Sequence, residues 1–170
     1  YMSLPGLGPV DFLGVTVWGG NAQYVRTMAS RTVPVPDNLN FHEATVIGRH
    51  LATAVNQVDN VLKAKEGYTV LVMGATGGLG AACIQVAKWA GARVIAAAGA
   101  DDRVAATLEL GADHGINYRS HDLTEEILKL TDGQGVTGVC DSVADPETFN
   151  QVIHSMARGA TLVTAGNASG

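Results

Sequence analysis

The stretch TVLVMGATGGLGAACIQVAKWAGARVIAAAG, residues 69–99, decides the fold. It begins with an apolar run, passes through a glycine cluster and a segment of helical character, and ends in a second apolar run. The same alternation of short apolar runs and helical segments continues to about residue 166. Strands that are apolar on both faces and alternate with helices indicate a parallel sheet covered on each side. The sequence therefore predicts an α/β fold with a doubly wound parallel sheet.

Three glycines, Gly74, Gly77 and Gly80, lie between the first predicted strand and the helix. Glycines at this place let the chain turn sharply, let a pyrophosphate approach the backbone and let the helix pack closely on the sheet. The N-terminus of the helix then offers free N–H groups and a partial positive charge to phosphates. The pattern predicts a dinucleotide site of the Rossmann type, and a glycine-rich turn without a ligand is the alternative.

The second predicted strand ends at Ala98-Gly99 without an acidic residue. In NAD sites an Asp or Glu at this tip, about 20 residues after the glycines, binds the ribose 2′-hydroxyl group. Its absence leaves room for a 2′-phosphate, with Arg103 as a charged partner, and therefore favours NADP. Asp101 and Asp102 oppose this interpretation unless they point outward, where they would stabilise the helix N-terminus. A solvated helix residue is the alternative for Arg103.

Composition and charge narrow the class of protein. The 170 residues are 46% hydrophobic with a net charge of −5, and the basic residues are scattered, so neither nucleic acid nor a membrane surface is expected as a partner. No apolar run approaches the roughly 20 residues of a membrane span. Cys83 and Cys140 form no CxxC pair and predict buried, reduced thiols in a cytoplasmic protein.

The first part of the chain has a different pattern. Residues 1 to about 45 show no helical period and predict short strands and turns, with Pro34 and Pro36 in an extended segment. Asn40, with Glu43 three residues later, predicts the N-cap of a helix over residues 42–63.

Several motifs together resemble the medium-chain dehydrogenase/reductase superfamily, and specifically its zinc-independent quinone oxidoreductase branch. They are GGNAQYV (19–25), TVPVPDNLNFHEA (32–44), the stretch from residue 67 to 99, LGADHGINYR (110–119), DSV (141–143) and GATLVTAG (159–166). The resemblance implies that residues 1–40 are the end of a GroES-like catalytic domain. Residues 41–170 would be a Rossmann domain that lacks its C-terminal part. The full-length protein is then expected to be a homodimer, with the strand that would form its interface missing here.

The resemblance also implies which residues bind the cofactor. It places the pyrophosphate on the backbone of Gly77, Gly78, Leu79 and Gly80, and the 2′-phosphate among Gly99, Ala100, Arg103 and Tyr118. Ser142, Val143, Gly166 and Thr53 would lie along the path to the nicotinamide. Tyr118 has the alternative of a half-buried aromatic at a strand end, and Thr53 that of a helix threonine bonded to its own backbone.

Zinc-dependent relatives carry a ligand 25 residues before the first glycine, and that position is Arg49 here. A guanidinium group cannot bind a metal cation, and the adjacent His50 is displaced by one residue from the ligand position. No metal site is therefore expected. Arg49 and His50 either recognise an anionic group or simply lie at the surface.

The resemblance implies an oxidoreductase that transfers a hydride from NADPH to a quinone or an α,β-unsaturated carbonyl compound without zinc. No proton donor or other catalytic residue is assigned. The alternatives are a non-catalytic NADPH-binding module and a zinc alcohol dehydrogenase whose ligands lie upstream. This chain alone is expected to bind the cofactor with little or no turnover.

Overall fold

The computed structural model describes residues 16–165, and its contacts cluster into two units, Tyr1–Leu39 and Asn40–Gly170. In the first unit, the described residues form a single β-bridge at Val17 and a 3-10 turn over Ala29–Arg31. The prediction of short strands is therefore wrong for residues 16–39. Strands need a partner backbone for their hydrogen bonds, and an extended sequence such as the one around Pro34 and Pro36 cannot provide that partner alone. The assignment of this unit to a GroES-like domain stays a prediction.

A continuous helical run opens the second unit, and its start confirms the predicted N-cap. Asn40 Oδ1 accepts from the N–H groups of His42 and Glu43 at 2.9 and 3.0 Å, and Glu43 Oε2 accepts from the Asn40 N–H at 2.9 Å. The run changes its hydrogen-bond pattern three times, through α1 (Phe41–Val46), a π-helical segment Ile47–Leu51, α2 (Ala52–Val55) and a second π-helical segment Asn56–Val61. Such π-helical turns often accompany functional sites.

The sheet has five parallel strands in the order β3-β2-β1-β4-β5. Their bounds are β1 Thr69–Met73, β2 Arg93–Ala98, β3 His114–Asn117, β4 Val136–Asp141 and β5 Met156–Thr164. The strand order reverses between β1 and β4, and this switch point is where open α/β sheets bind ligands, beyond the carboxyl ends of the strands.

Four helices connect the strands: α3 Gly78–Trp89, α4 Asp101–Glu109, α5 Leu123–Leu130 and α6 Pro146–His154. They divide the core into two layers, because successive residues of a strand point to opposite faces. Val70, Val72 and Val94 pack with α2 and α3 on one face, while Leu71 and Ile95 pack with α5 and α6 on the other. The doubly wound α/β fold predicted from the sequence is confirmed.

The two cysteines lie in the first of these layers. Cys83 and Cys140 are both buried, as predicted, and the Cys83 thiol donates to Gln57 Oε1 at 3.4 Å. The neighbouring Cys83 and burial together raise the pKa of Cys140. The Cys140 thiol therefore stays protonated and serves as a packing group.

Candidate functional site

A cavity of about 790 Å³ opens at the carboxyl ends of the strands, beside the switch point. It brings together nine of the residues predicted for cofactor binding: Gly74, Gly77, Gly78, Leu79, Gly80, Gly99, Arg103, Tyr118 and Ser142. Four further lining residues were not predicted as site residues: Thr76, Ala98, Asp102 and Ala106.

The glycine turn forms one wall of the cavity. Gly74 has a positive φ of 66°, which a side chain would strain, and a Cβ atom on Gly80 would overlap the carbonyl oxygen of Gly74. The first turn of α3 is thereby held against the end of β1. Because Gly77 is the N-cap and offers no side chain, the first N–H groups of α3 have no side-chain cap. They are available to an anion in the cavity.

The tip of β2 forms the opposite wall. A Cβ atom on Gly99 would lie 3.1 Å from Tyr118 Oη and 3.2 Å from Arg119 Nε, so a phenol and a guanidinium group stand directly against this glycine. Arg103, from the first turn of α4, lines the same cavity. The tip therefore carries two cations and a hydroxyl group, which are the donors that a phosphate requires.

Asp101 and Asp102 occupy different surroundings, although both begin α4. Asp101 Oδ1 accepts from Asn117 Nδ2 at 2.6 Å, while Asp102 lines the cavity beside Arg103. The outward orientation that would remove the objection to NADP is therefore not met by Asp102. Asp102 and Arg103 both line the cavity, so this carboxylate offsets part of the positive charge there.

The loop after β4 covers Gly74. A Cβ atom on Gly74 would lie 3.1 Å from Val143 Cγ2 and 3.2 Å from Ser142 Oγ. The Ser142 hydroxyl donates to the Met73 carbonyl at 2.8 Å, and the buried Asp141 carboxylate accepts from the Val143 N–H at 2.8 Å. Val143 itself lines an adjoining cavity of about 520 Å³ together with Tyr118 and Arg119.

Three predicted residues that the structure describes do not line the main cavity: Val143, Thr53 and Ala100. Thr53 is exposed, and its hydroxyl donates to the Arg49 carbonyl at 3.2 Å, which is the alternative considered for it. Ala100 is the extended N-cap of α4 and does not line the cavity. Gly166 lies outside the described residues. Their contacts with a nicotinamide cofactor stay predictions.

Arg119 is the main residue that sequence reasoning missed. It stands next to Tyr118 in the motif INYR, and a second cation one residue after a predicted phosphate ligand was the available signal. The turn after β3 makes both side chains reach Gly99, because the Arg119 N–H donates to Asn117 Oδ1 at 3.1 Å and closes the chain back on itself.

The described residues were expected to hold no metal, and their side chains offer few ligands close together. Within residues 16–165, no group of three His, Cys, Asp or Glu residues is arranged to hold an ion. Arg49 is exposed on the first π-helical segment, with His50 as its neighbour. The described residues therefore do not fit zinc. In the same part of the chain, no helix is both long and apolar enough to cross a membrane.

Comparison with known proteins gives consistent matches. A sequence profile of the zinc-binding dehydrogenase family matches residues 78–170. Quinone oxidoreductase-like protein 2 of Rattus norvegicus is 32% identical over 159 residues, which are 93% of this chain and 45% of the rat protein.

Two solved structures share both the fold and the sequence pattern. An NAD-dependent alcohol dehydrogenase is 41% identical with a TM-score of 0.76, over 81% of this chain and 39% of that protein. A mycobacterial protein in complex with NADPH is 33% identical with a TM-score of 0.77, over 84% of this chain and 44% of that protein. The chain thus spans less than half the length of each of these three relatives.

Three findings indicate the same family: the order of the strands in the sheet, the glycine turn at the switch point, and these matches. The chain belongs to the zinc-binding dehydrogenase family of the medium-chain dehydrogenase/reductase superfamily and resembles its quinone oxidoreductases.

Proposed function

We propose that this chain is the cofactor-binding part of an NADPH-dependent oxidoreductase that reduces a quinone or an α,β-unsaturated carbonyl compound without zinc. One observation carries the choice of cofactor. The tip of β2 ends in Gly99, and the guanidinium group of Arg119 and the phenol of Tyr118 stand against it where an NAD enzyme places a carboxylate. The bound NADPH of the mycobacterial relative supports the same choice.

Different residues would bind different parts of the cofactor. The N–H groups at the start of α3 would bind the pyrophosphate, and the close approach of Gly80 to Gly74 holds them against the end of β1. Arg103, Tyr118 and Arg119 would bind the 2′-phosphate. When bound, NADPH supplies the hydride from its nicotinamide ring, so the protein needs to orient the ring and the acceptor and to exclude water.

The name of the rat relative supports a quinone as the acceptor. A conjugated carbonyl compound is the related choice, because in both cases the hydride adds to a carbon or oxygen conjugated with a carbonyl group. Arg49, at the position where zinc-dependent relatives carry a ligand, supports a reaction without zinc. The proposal also includes a cytoplasmic location and a full-length protein that forms a homodimer.

One observation favours a second candidate, an NAD-dependent alcohol dehydrogenase. Asp102 lines the cavity and could accept a hydrogen bond from a ribose hydroxyl, and an NAD-dependent relative is 41% identical. Arg103 lines the same cavity, and Arg119 stands against Gly99 from the adjoining cavity, so two guanidinium groups near the end of β2 favour the phosphate.

The test is a parallel calorimetric titration of this chain with NADPH and with NADH. We expect NADPH to bind at least about tenfold more tightly, since a 2′-phosphate adds charged hydrogen bonds to two cations. Tighter binding of NADH would assign Asp102 to the ribose and replace the proposal with the second candidate. Binding of neither nucleotide would refute the assignment of the cavity.

A further inference from the structure

His50 lies against the glycine turn and has no role in the family features described above. A Cβ atom on Gly78 would meet the His50 ring at 2.8 Å from Cε1, 2.9 Å from Nε2 and 3.1 Å from Nδ1. The ring therefore packs face to backbone on the first residue of α3, and only a glycine at position 78 accommodates it. Gly78 lines the cavity, so the imidazole borders the proposed pyrophosphate position without lining the cavity itself.

The two ring nitrogens of His50 are in different surroundings. Nδ1 is buried and has no hydrogen-bond partner, and it is the one such side-chain nitrogen or oxygen found within residues 16–165. A buried N–H donor without a partner costs more than a buried acceptor lone pair, so the proton of the neutral ring belongs on Nε2. Nε2 also lacks a partner among the described residues but is not buried, and it is therefore a donor that a ligand can reach.

A histidine that serves only to fill the core normally has its polar atoms satisfied. Here His50 lies on the π-helical segment Ile47–Leu51, its ring packs on Gly78, and its Nδ1 has no partner. The uncapped N–H groups of α3 begin at Gly78. A dinucleotide whose pyrophosphate lies over Gly78 would therefore come close to this ring.

We propose that His50 Nε2–H donates a hydrogen bond to the pyrophosphate of the dinucleotide and so fixes its path over the N-terminus of α3. The inference rests on the proposed function, because it needs a dinucleotide in the cavity. His50 is then a binding residue for the part that NADPH and NADH share. The residues around Gly99, in contrast, would distinguish the two nucleotides, because they would bind the 2′-phosphate that only NADPH carries.

The test compares His50→Leu, which has a similar size and no donor, with His50→Gln, which keeps an N–H donor. Three probes are titrated: NADPH, 2′-phospho-ADP-ribose, which has the pyrophosphate without nicotinamide, and adenosine 2′-monophosphate, which lacks both. We expect His50→Leu to bind the first two probes about five- to tenfold more weakly, the loss of one charge-assisted hydrogen bond, and the third unchanged. His50→Gln should stay within about twofold of the unmodified chain for all three probes.

His42→Leu is the matched control, since His42 is an exposed histidine on the same helical run, and its binding should not change. The thermal midpoint of free His50→Leu should equal or exceed that of the unmodified chain, because the change removes a buried nitrogen without a partner. A measurement on the unmodified chain needs no variant: the ¹⁵N resonance of His50 Nε2 should shift with NADPH and not with adenosine 2′-monophosphate.

Several outcomes would overturn the inference. One is that His50→Leu binds NADPH as tightly as the unmodified chain does, or more tightly. Another is that His50→Leu loses affinity for NADPH but not for 2′-phospho-ADP-ribose. A third is that His50→Gln loses as much affinity as His50→Leu. Failure of the unmodified chain to bind NADPH would instead refute the proposed function, and the inference with it. The unmodified chain therefore separates the two failures.

Discussion

Three charged residues lie near the end of β2, on α4 and in the turn after β3. Arg103 and Asp102 line the main cavity. Arg119 lines the adjoining cavity and stands against Gly99, with its Nε 3.2 Å from the position of a Cβ atom. Two guanidinium groups near Gly99 suit a phosphate better than a ribose hydroxyl group.

The two arginines are expected to bind the 2′-phosphate together. Arg103→Ala and Arg119→Ala should each weaken NADPH by about 1–2 kcal/mol and leave NADH nearly unchanged, because each removes one charged hydrogen bond to the phosphate. Calorimetric titration of both nucleotides measures the difference. Arg158→Ala is a suitable control, since Arg158 is exposed near the amino end of β5, at the opposite edge of the sheet. Equal losses for NADPH and NADH would remove the arginine concerned from the phosphate site.

Asp102 is expected to weaken the binding of NADPH, whereas the two arginines are expected to strengthen it. Replacement by Asn removes a negative charge from the cavity wall, and we expect NADPH to bind more tightly by about 0.5–1 kcal/mol at low ionic strength. NADH should bind with equal or lower affinity. The ratio of the two dissociation constants is the measured quantity, and added salt should reduce the gain. Loss of NADPH binding in Asp102→Asn would show that this carboxylate orders the arginines instead of opposing the phosphate.

The sequence predicted the backbone of the site better than its charged side chains. The glycines were predictable because a turn and a close approach such as that of Gly80 to Gly74 exclude every other residue type. Arg119 and Asp102 could not be placed, since the direction of a side chain at a helix or strand end depends on the turn geometry around it. The packing of His50 on Gly78 joins two segments distant in sequence, and no local pattern marks it.

Among the secondary-structure elements, α3 is joined to the loop before β3 by one ion pair. Lys88 Nζ donates to both carboxylate oxygens of Asp113 at 2.8 and 2.9 Å, and Asp113 Oδ2 also accepts from the Val94 N–H at 2.7 Å. Partial burial acts to raise the pKa of Asp113, but the hydrogen bonds from Lys88 and Val94 outweigh it and lower the pKa below its usual value of 3.8.

This ion pair predicts a dependence of stability on acid. Because the pKa of Asp113 is lower in the folded chain, its contribution is complete above 3.8 and is lost as the pH falls through the lowered folded value. Asp113→Asn should therefore show a flatter decline in its denaturation midpoint between neutral pH and about 3. Lys88→Met, which removes the partner, should flatten the decline in the same way. Parallel curves for Asp113→Asn and the unmodified chain would contradict the prediction.

The sequence also predicted most elements of the second unit and where several of them end. The capping box at Asn40 is a local signal that the structure confirms. The π-helical segments Ile47–Leu51 and Asn56–Val61 were not predictable, because they keep a helical apolar pattern while shifting the hydrogen bonds by one residue. In the first unit, the apolar pattern indicated strands. A pattern of side chains does not show whether a second backbone segment lies beside such a strand to form its hydrogen bonds.

For the molecule as a whole, the chain contains a cofactor cavity and lacks an assigned catalytic residue. The matched part covers less than half of each of the two solved relatives. We therefore expect this chain to bind NADPH and to oxidise it no faster than buffer does when a quinone or an enal is added. Absorbance at the NADPH band measures the rate. Acceptor-dependent turnover by these residues alone would show that the catalytic groups lie within them.

The central position of β1 has a consequence for how the protein is made. One edge of β1 pairs with β2, where Thr69 lies beside Arg93. The other edge pairs with β4, which comes later in the chain, and there Val70 lies beside Gly138. A ribosome therefore releases β1, α3, β2, α4 and β3 while the second edge of β1 is still unpaired. The glycine turn, Gly99, Arg103 and Arg119 all belong to this earlier half. Nucleotide bound there would add its binding free energy to the half-built sheet, so the cellular NADPH pool would act as a folding partner for the nascent chain.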